Sequence, residues 1–238
     1  LSGLLRNPPG CMRVEPIRLC HRGGRNYWVY ARSFTARLLG INDISVPEEP
    51  VSVRSGDIYF MPDFFVGSVL QAESSGLYAD LRDKGVSLNF NVYDLLPITH
   101  PQYFPRRTNT LHAKWLDVLA RRADRLICIS GSVAHDVRSW ISRNVAATNL
   151  PEVVALHLGA DTLDAVPSRG RPGDADATLA KIGSGISFLM VGTVEPRKGH
   201  ADVLDAFEDI WGNSGDHLLV IVGKQGWMVD GLARRLRQ

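Results

Sequence analysis

The chain has 238 residues, 45% apolar and 22% charged, with a formal net charge of +2 at pH 7. Such values describe an ordinary globular chain able to bury a substantial core, as one large domain or two small ones. So small a charge gives no argument for nucleic acid or a membrane surface as partner, and no apolar run approaches the roughly 18 residues that a membrane-spanning helix needs.

Cys11, Cys20 and Cys128 are an odd set without paired metal spacing, which predicts free thiols in a reducing compartment. Leu1 is not a start residue and no signal-peptide pattern follows it, so the chain reads as cut from something longer.

In chain order the apolar runs predict strands over Arg13–Leu19, Asp57–Met61, Val86–Tyr93, Leu126–Ile129, Val153–His157, Ser187–Val191 and Leu218–Val222. Gly23-Gly24 in "CHRGGRN" has no helix start after it and reads as a turn, and "VPEEPVSVRSGD" (46–57) reads as a surface loop. Helical stripes lie at Leu111, Trp115, Val118 and Leu119, at Val133, Val137, Trp140 and Ile141, and at Val203, Leu204, Phe207, Ile210 and Trp211. Core packing accounts for their aromatics better than a cofactor box does.

Strands alternating with helices make an α/β protein with a largely parallel sheet. Residues 57–160 are expected to form a parallel-sheet unit with helices on both faces. Polar, Pro- and Gly-rich "TLDAVPSRGRPGDADA" (162–177) is linker chemistry, and a second βαβα unit starts near Ile186. The division is therefore 1–162, a linker over 163–185, and 186–238; the last piece is too short to close a doubly wound sheet, for which about 100 residues is usual.

"SFLMVGTVEPRKGH" (187–200) runs from a buried strand through Gly192 into a charged loop and a helix. A helix start has unpaired N–H groups and the positive end of its dipole, so it favours an anion. Arg197 and Lys198 add full positive charge there, which suits a phosphate, although an exposed loop with solvated cations is the plainer reading. Pro196 stiffens the loop, while Gly192 and Gly199 allow close backbone approach. It is neither a Walker sequence nor a G-x-G-x-x-G.

Four more stretches belong with it: "VYDLLPITHPQYFP" (92–105), "LICISGSVAHDVRSWI" (126–141), "VVALHLGAD" (153–161) and "LLVIVGKQGWM" (218–228). In this order they resemble the family 4 glycosyltransferases of the GT-B fold, most of all the bacterial mannosyltransferase-type members that build O-antigen and other surface polysaccharides. The resemblance covers residue 57 to the end. It implies two Rossmann-like lobes facing each other, an acceptor-side lobe (1–162) and the start of a nucleotide-sugar-binding lobe (186–238), with the second truncated and the first incomplete. It puts the donor diphosphate on Arg197 and Lys198, with Gly192, Thr193, Gly223 and Lys224 around it, and Gly159 and Asp161 at the lobe crossover; a plain tight turn is the alternative for that last pair. Thr193 stands where relatives often have arginine.

On the acceptor side the resemblance points to Asp94, in a Tyr93-Asp94 pair where many relatives have His-Asp, and to His100 as the nearest replacement for the histidine. The bland alternatives are a turn or cap for Asp94 and a histidine capping its own loop. Ser130 and Ser132 read as helix caps. The implied reaction moves a hexose, mannose by resemblance, from GDP-mannose to a saccharide or lipid-linked saccharide acceptor with retention. A fixed cation would stabilise the charge that grows on the departing diphosphate, so no metal is required. The resemblance also implies a cytoplasmic enzyme with a peripheral membrane contact. Retaining members carry a late glutamate pair that grips the donor sugar, and no glutamate follows Glu208; this chain alone is expected to be inactive in transfer. A non-catalytic nucleotide-binding scaffold and a sugar-nucleotide epimerase on the same fold stay open as alternatives.

Overall fold

The computed structural model of the chain describes residues 10, 13–22, 25–41, 47, 49–159, 172–213 and 215–237. Among the described residues the first elements are the antiparallel pair β1 (Ile17–Arg22) and β2 (Arg25–Tyr30), followed by helix α1 (Arg32–Leu38). This corrects the reading of a strand over Arg13–Leu19 and adds a second strand that it omitted. "RNYWVY" (25–30) follows two glycines and combines aromatic and β-branched residues, which is hairpin chemistry. Gly23 and Gly24, read as the turn, lie outside the described residues. The loop read over 46–57 is not free: Val51 N–H donates to Trp28 O (2.9 Å), and the Tyr30 hydroxyl donates to Ser52 O (2.6 Å).

The first parallel sheet has the order β3-β4-β5-β6, with β3 (Ile58–Met61), β4 (Ser87–Val92), β5 (Arg125–Cys128) and β6 (Glu152–Ala155). Helices α2 (Val66–Ser74), α3 (Leu77–Asp83), α4 (Leu96–Thr99), α5 (Thr108–Arg122) and α6 (Gly131–Asn144) run between the strands. The strands follow one another in sequence, so crossovers of one hand place their helices on one face. Helices α2, α5 and α6 accordingly pack in a row, α2 on α5 and α5 on α6. The expected cover on both faces is therefore not what this sheet has. Leu88, Phe90, Val92, Leu126 and Cys128 meet Trp115, Leu116, Leu119 and Val137 in the core. On the opposite pleat Ile58 and Phe60 are exposed. Arg122 Nη2 donates to Glu73 Oε1 at 2.8 Å, clamping α5 onto α2.

The α5 stripe is turned by one position from the one read in the sequence. Leu111 is 47% exposed, and His112 takes its place beside Trp115, Leu116 and Leu119. Within the stretch read as linker, Ala175–Gly183 forms helix α7, whose alanines, leucine and lysine are good helix formers.

The second unit pairs β7 (Ile186–Val191) in parallel with β8 (His217–Val222). Helix α8 (His200–Gly212) connects them, and α9 (Asp230–Arg235) follows β8. Leu204 and Phe207 of α8 are buried, with the Phe207 ring edge-on to Phe188 at 5.3 Å. Arg235 Nη2 reaches Asp205 (2.7 Å) and Glu208 (2.8 Å), tying α9 to α8.

Candidate functional site

At the carboxyl ends of β7 and β8 the two backbones converge. Gly192 N–H donates to Val222 O (2.9 Å) and has φ +149°, a conformation that side-chain-bearing residues rarely adopt. A Cβ on Gly223 would lie 1.8 Å from the Gly192 carbonyl oxygen, so glycine is obligatory there. Val194 N–H then donates to Lys224 O and Gly226 N–H to Val194 O, both at 2.9 Å. Pro196–Lys198 forms a single 3₁₀ turn, Gly199 swings into the left-handed region at φ +69°, and α8 begins at His200. This order of strand, glycine, basic turn and helix N-terminus is the one read from the sequence.

The two cations of the turn differ. Lys198 is exposed and makes no ion pair among the described residues. Arg197 Nη2 lies 2.7 Å from Glu195 Oε1, whose side chain is 2% exposed. That oxygen has no aligned hydrogen bond, so the contact is an ion pair by distance rather than by direction. His200 is buried with both ring nitrogens unpartnered. Burial pushes it below its ordinary pKa; Glu195 opposes that shift and Lys198 adds to it. Neither Glu195 nor His200 was assigned a role from sequence. The legible signal is an acid two residues before an arginine, in a loop short enough to fold back on itself. Thr193 and Lys224 are both exposed at the rim of the turn.

On the first unit Asp94 follows β4 as expected. Its Oδ1 accepts from Leu96 N–H at 3.1 Å, so its carboxylate caps the start of α4. Tyr93, in the position where relatives have histidine, donates its hydroxyl to Pro62 O at 2.8 Å. His100 is exposed, with Nδ1 2.9 Å from Thr99 Oγ1 and its ring stacked on Tyr103 at 6.4 Å. The local contacts of both residues are those of the bland alternatives. Ser130 caps α6 as expected, accepting from Val133 N–H at 3.2 Å. Gly159 is exposed with open space around it, and Asp161 lies outside the described residues.

His112 escaped the sequence reading. Its Nε2 lies 3.2 Å from Asp94 O, and its ring packs against Phe64 (4.7 Å) and Trp115 (4.9 Å). Trp227 escaped it too. From the loop after β8 its Nε1 donates to Tyr103 O at 2.8 Å, and its ring stacks on Phe104 at 5.8 Å. That contact brings the loop carrying Gly223 and Lys224 against the loop carrying Asp94 and His100.

Parallel βα units with their working loops at strand carboxyl ends define an α/β protein of the Rossmann-like, GT-B kind. No family model matches the chain. It is 43% identical over 197 residues, 80% of its length, to the serotype-specific mannosyltransferase WbdA of Escherichia coli, and further WbdA sequences from that organism match at the same identity. The chain spans 23% of the length of these relatives. The matched residues share a fold and an origin with a segment of WbdA, which bears out the resemblance to mannosyltransferase-type glycosyltransferases read from the motifs.

Proposed function

We propose that the chain is part of a retaining glycosyltransferase that moves mannose from GDP-mannose to a saccharide acceptor. The observation that carries this reading is the turn between Gly192 and His200. Two backbones close through Gly192 and Gly223, and the unpaired Lys198 stands at the N-terminus of α8. Cleaving the anomeric C–O bond leaves both electrons on the β-phosphate oxygen. A cation fixed beside that oxygen stabilises the transition state more than the ground state. Lys198 supplies this charge directly, and Arg197 joins it when the phosphate competes with Glu195. The likeness to WbdA supports mannose as the sugar, and the saccharide acceptor, free or lipid-linked, follows from the same likeness.

Asp94 and His100 line the acceptor side in this reading, with Thr193, Lys224, Gly159 and Asp161 toward the donor. The reaction needs no metal, because Lys and Arg perform the charge stabilisation. The enzyme works in the cytoplasm, touching the membrane only peripherally; no helix among the described residues is long and apolar enough to cross one. A non-catalytic nucleotide-binding module is the second reading, favoured by the Glu195–Arg197 pair, which engages one of the two cations of the 196–198 turn with a carboxylate of the protein itself. Titration calorimetry with GDP, UDP and their sugars tests the site. Binding of GDP that disappears in Lys198→Ala supports it, and identical binding by the variant overturns it.

A further inference from the structure

We propose that Trp227 is a positioning residue that couples the 192–198 turn to the loop after β4, so that the two sides of the cleft hold one arrangement. The segment from Gly223 to Val229 is fastened at both ends. Toward its own unit, Val194 N–H donates to Lys224 O and Gly226 N–H to Val194 O, each at 2.9 Å. Gly226 is also confined, because a Cβ there would meet Val194 O at 2.8 Å and Thr193 Cγ2 at 2.9 Å. Toward the other unit, Trp227 Nε1 donates to Tyr103 O at 2.8 Å and the indole stacks on Phe104 at 26° between ring planes. Tyr103 in turn carries the His100 ring.

Backbone geometry on both sides of the contact is unusual. Met228, next to Trp227, has φ +56°, and Arg107, three residues after Phe104, has φ +71°. These are the only non-glycine residues with positive φ among those described. Unfavourable backbone persists where the surroundings impose it, and here it flanks one contact from each unit. An indole suits the task, since it offers a large flat surface and a single donor that fixes its orientation. Movement of Tyr103 and Phe104 is therefore passed through Trp227 and Gly226 to Val194, three residues before Arg197 and four before Lys198.

The function assigned to this coupling rests on the 192–198 turn being the diphosphate site, but its test needs no ligand. Amide hydrogen exchange of the 238-residue chain is compared with that of Phe104→Ala and Trp227→Phe, with urea unfolding as a check on overall stability. Phe104 belongs to the first unit, and its ring contact among the described residues is with Trp227 rather than with the turn. Phe104→Ala should nonetheless speed exchange at the Val194 and Gly226 amides by about fivefold, the scale of one lost aromatic pair. Trp227→Phe, which keeps a ring but loses the donor, should speed it by a smaller factor. Unchanged exchange at 192–198 in both variants, with the proteins folded, overturns the coupling. A GDP titration of the same proteins is read separately. If the wild-type chain fails to bind GDP, the phosphate reading falls while the exchange result still decides the coupling.

Discussion

His112 holds the loop after β4 by its backbone, with Nε2 3.2 Å from the carbonyl oxygen of Asp94. A carbonyl can only accept, so Nε2 carries the proton and the ring is held as that neutral tautomer. The ring is 2% exposed between Phe64 and Trp115, and burial pushes its pKa below the ordinary value, against an opposing pull from Asp94. The carboxylate of Asp94 meanwhile caps α4. One residue is thus fixed by its carbonyl from α5 and by its side chain from the helix that follows it.

The pH dependence follows in sign. Below about 6.5 the unfolded chain protonates its histidines while buried His112 stays neutral until its own lower pKa is reached. Stability should therefore fall as pH drops through that window, and be retained above it. His112→Phe keeps the ring but leaves the Asp94 carbonyl unpaired, a cost of about 1–3 kcal/mol at neutral pH, and it should flatten the acid slope. Buried His200 is shifted in the same direction and supplies a second part of that slope. Urea midpoints between pH 5 and 8 check this; an unaltered slope in His112→Phe counts against it.

How far the sequence was legible depended on which forces were local. Strands such as "FLMV" and "LICI" announce themselves as short apolar runs, although β7, expected to be a buried strand, leaves Phe188, Leu189 and Val191 exposed; the glycine-loop-helix order at 192–200 is covalent. Rotation of α5 was not legible, because Leu111 looks a better core residue than His112; the carbonyl of Asp94, distant in sequence, decides it. The single-faced helix layer depends on strand order, which periodicity does not encode. Trp227 fits any loop until Tyr103 and Phe104 are beside it, 124 positions away in the case of its hydrogen bond.

Lys198 and Arg197 should not be equivalent in binding. Lys198→Ala removes a free charge-assisted contact and should lower GDP affinity by about 10- to 100-fold, from the 1.5–3 kcal/mol such contacts contribute. Arg197→Ala should cost less, since the guanidinium must first leave Glu195. Glu195→Gln should strengthen binding by freeing Arg197 and removing a buried negative charge. Affinity should fall as salt rises. Calorimetry on the three variants decides the order, and a larger loss from Arg197→Ala than from Lys198→Ala would invert it.

Two glycines separate structural need from convenience. Gly223→Ala places a methyl 1.8 Å from the Gly192 carbonyl and must force the ends of β7 and β8 apart. It should destabilise by more than about 2 kcal/mol, the range of overpacking and backbone strain. Gly67 lies in the first turn of α2 with nothing within 4 Å of its added Cβ. Gly67→Ala should stabilise by about 0.5–1 kcal/mol, the helix propensity gain. Thermal or urea unfolding of both variants gives the comparison; a well-tolerated Gly223→Ala would show that the ends of β7 and β8 can part at little cost.

The second unit should also self-associate. On the pleat of β7 turned away from Phe188, Leu189 is 68% and Val191 71% exposed, and Val222, paired with Val191, is 52% exposed. Contiguous apolar surface beside an unpaired strand edge is the usual seed of edge-to-edge or face-to-face contact. Sedimentation velocity should show a concentration-dependent shift to dimers or larger species. Leu189→Lys, at a site too exposed to contribute much to folding, should suppress it by placing a charge in the middle of the patch. Because the drive is apolar, sulfate should strengthen association, whereas rising salt should weaken GDP binding. Opposite salt responses thus separate the two surfaces within one protein. A chain that stays monomeric in high sulfate, or a Leu189→Lys variant that associates as wild type does, would remove this face as the cause.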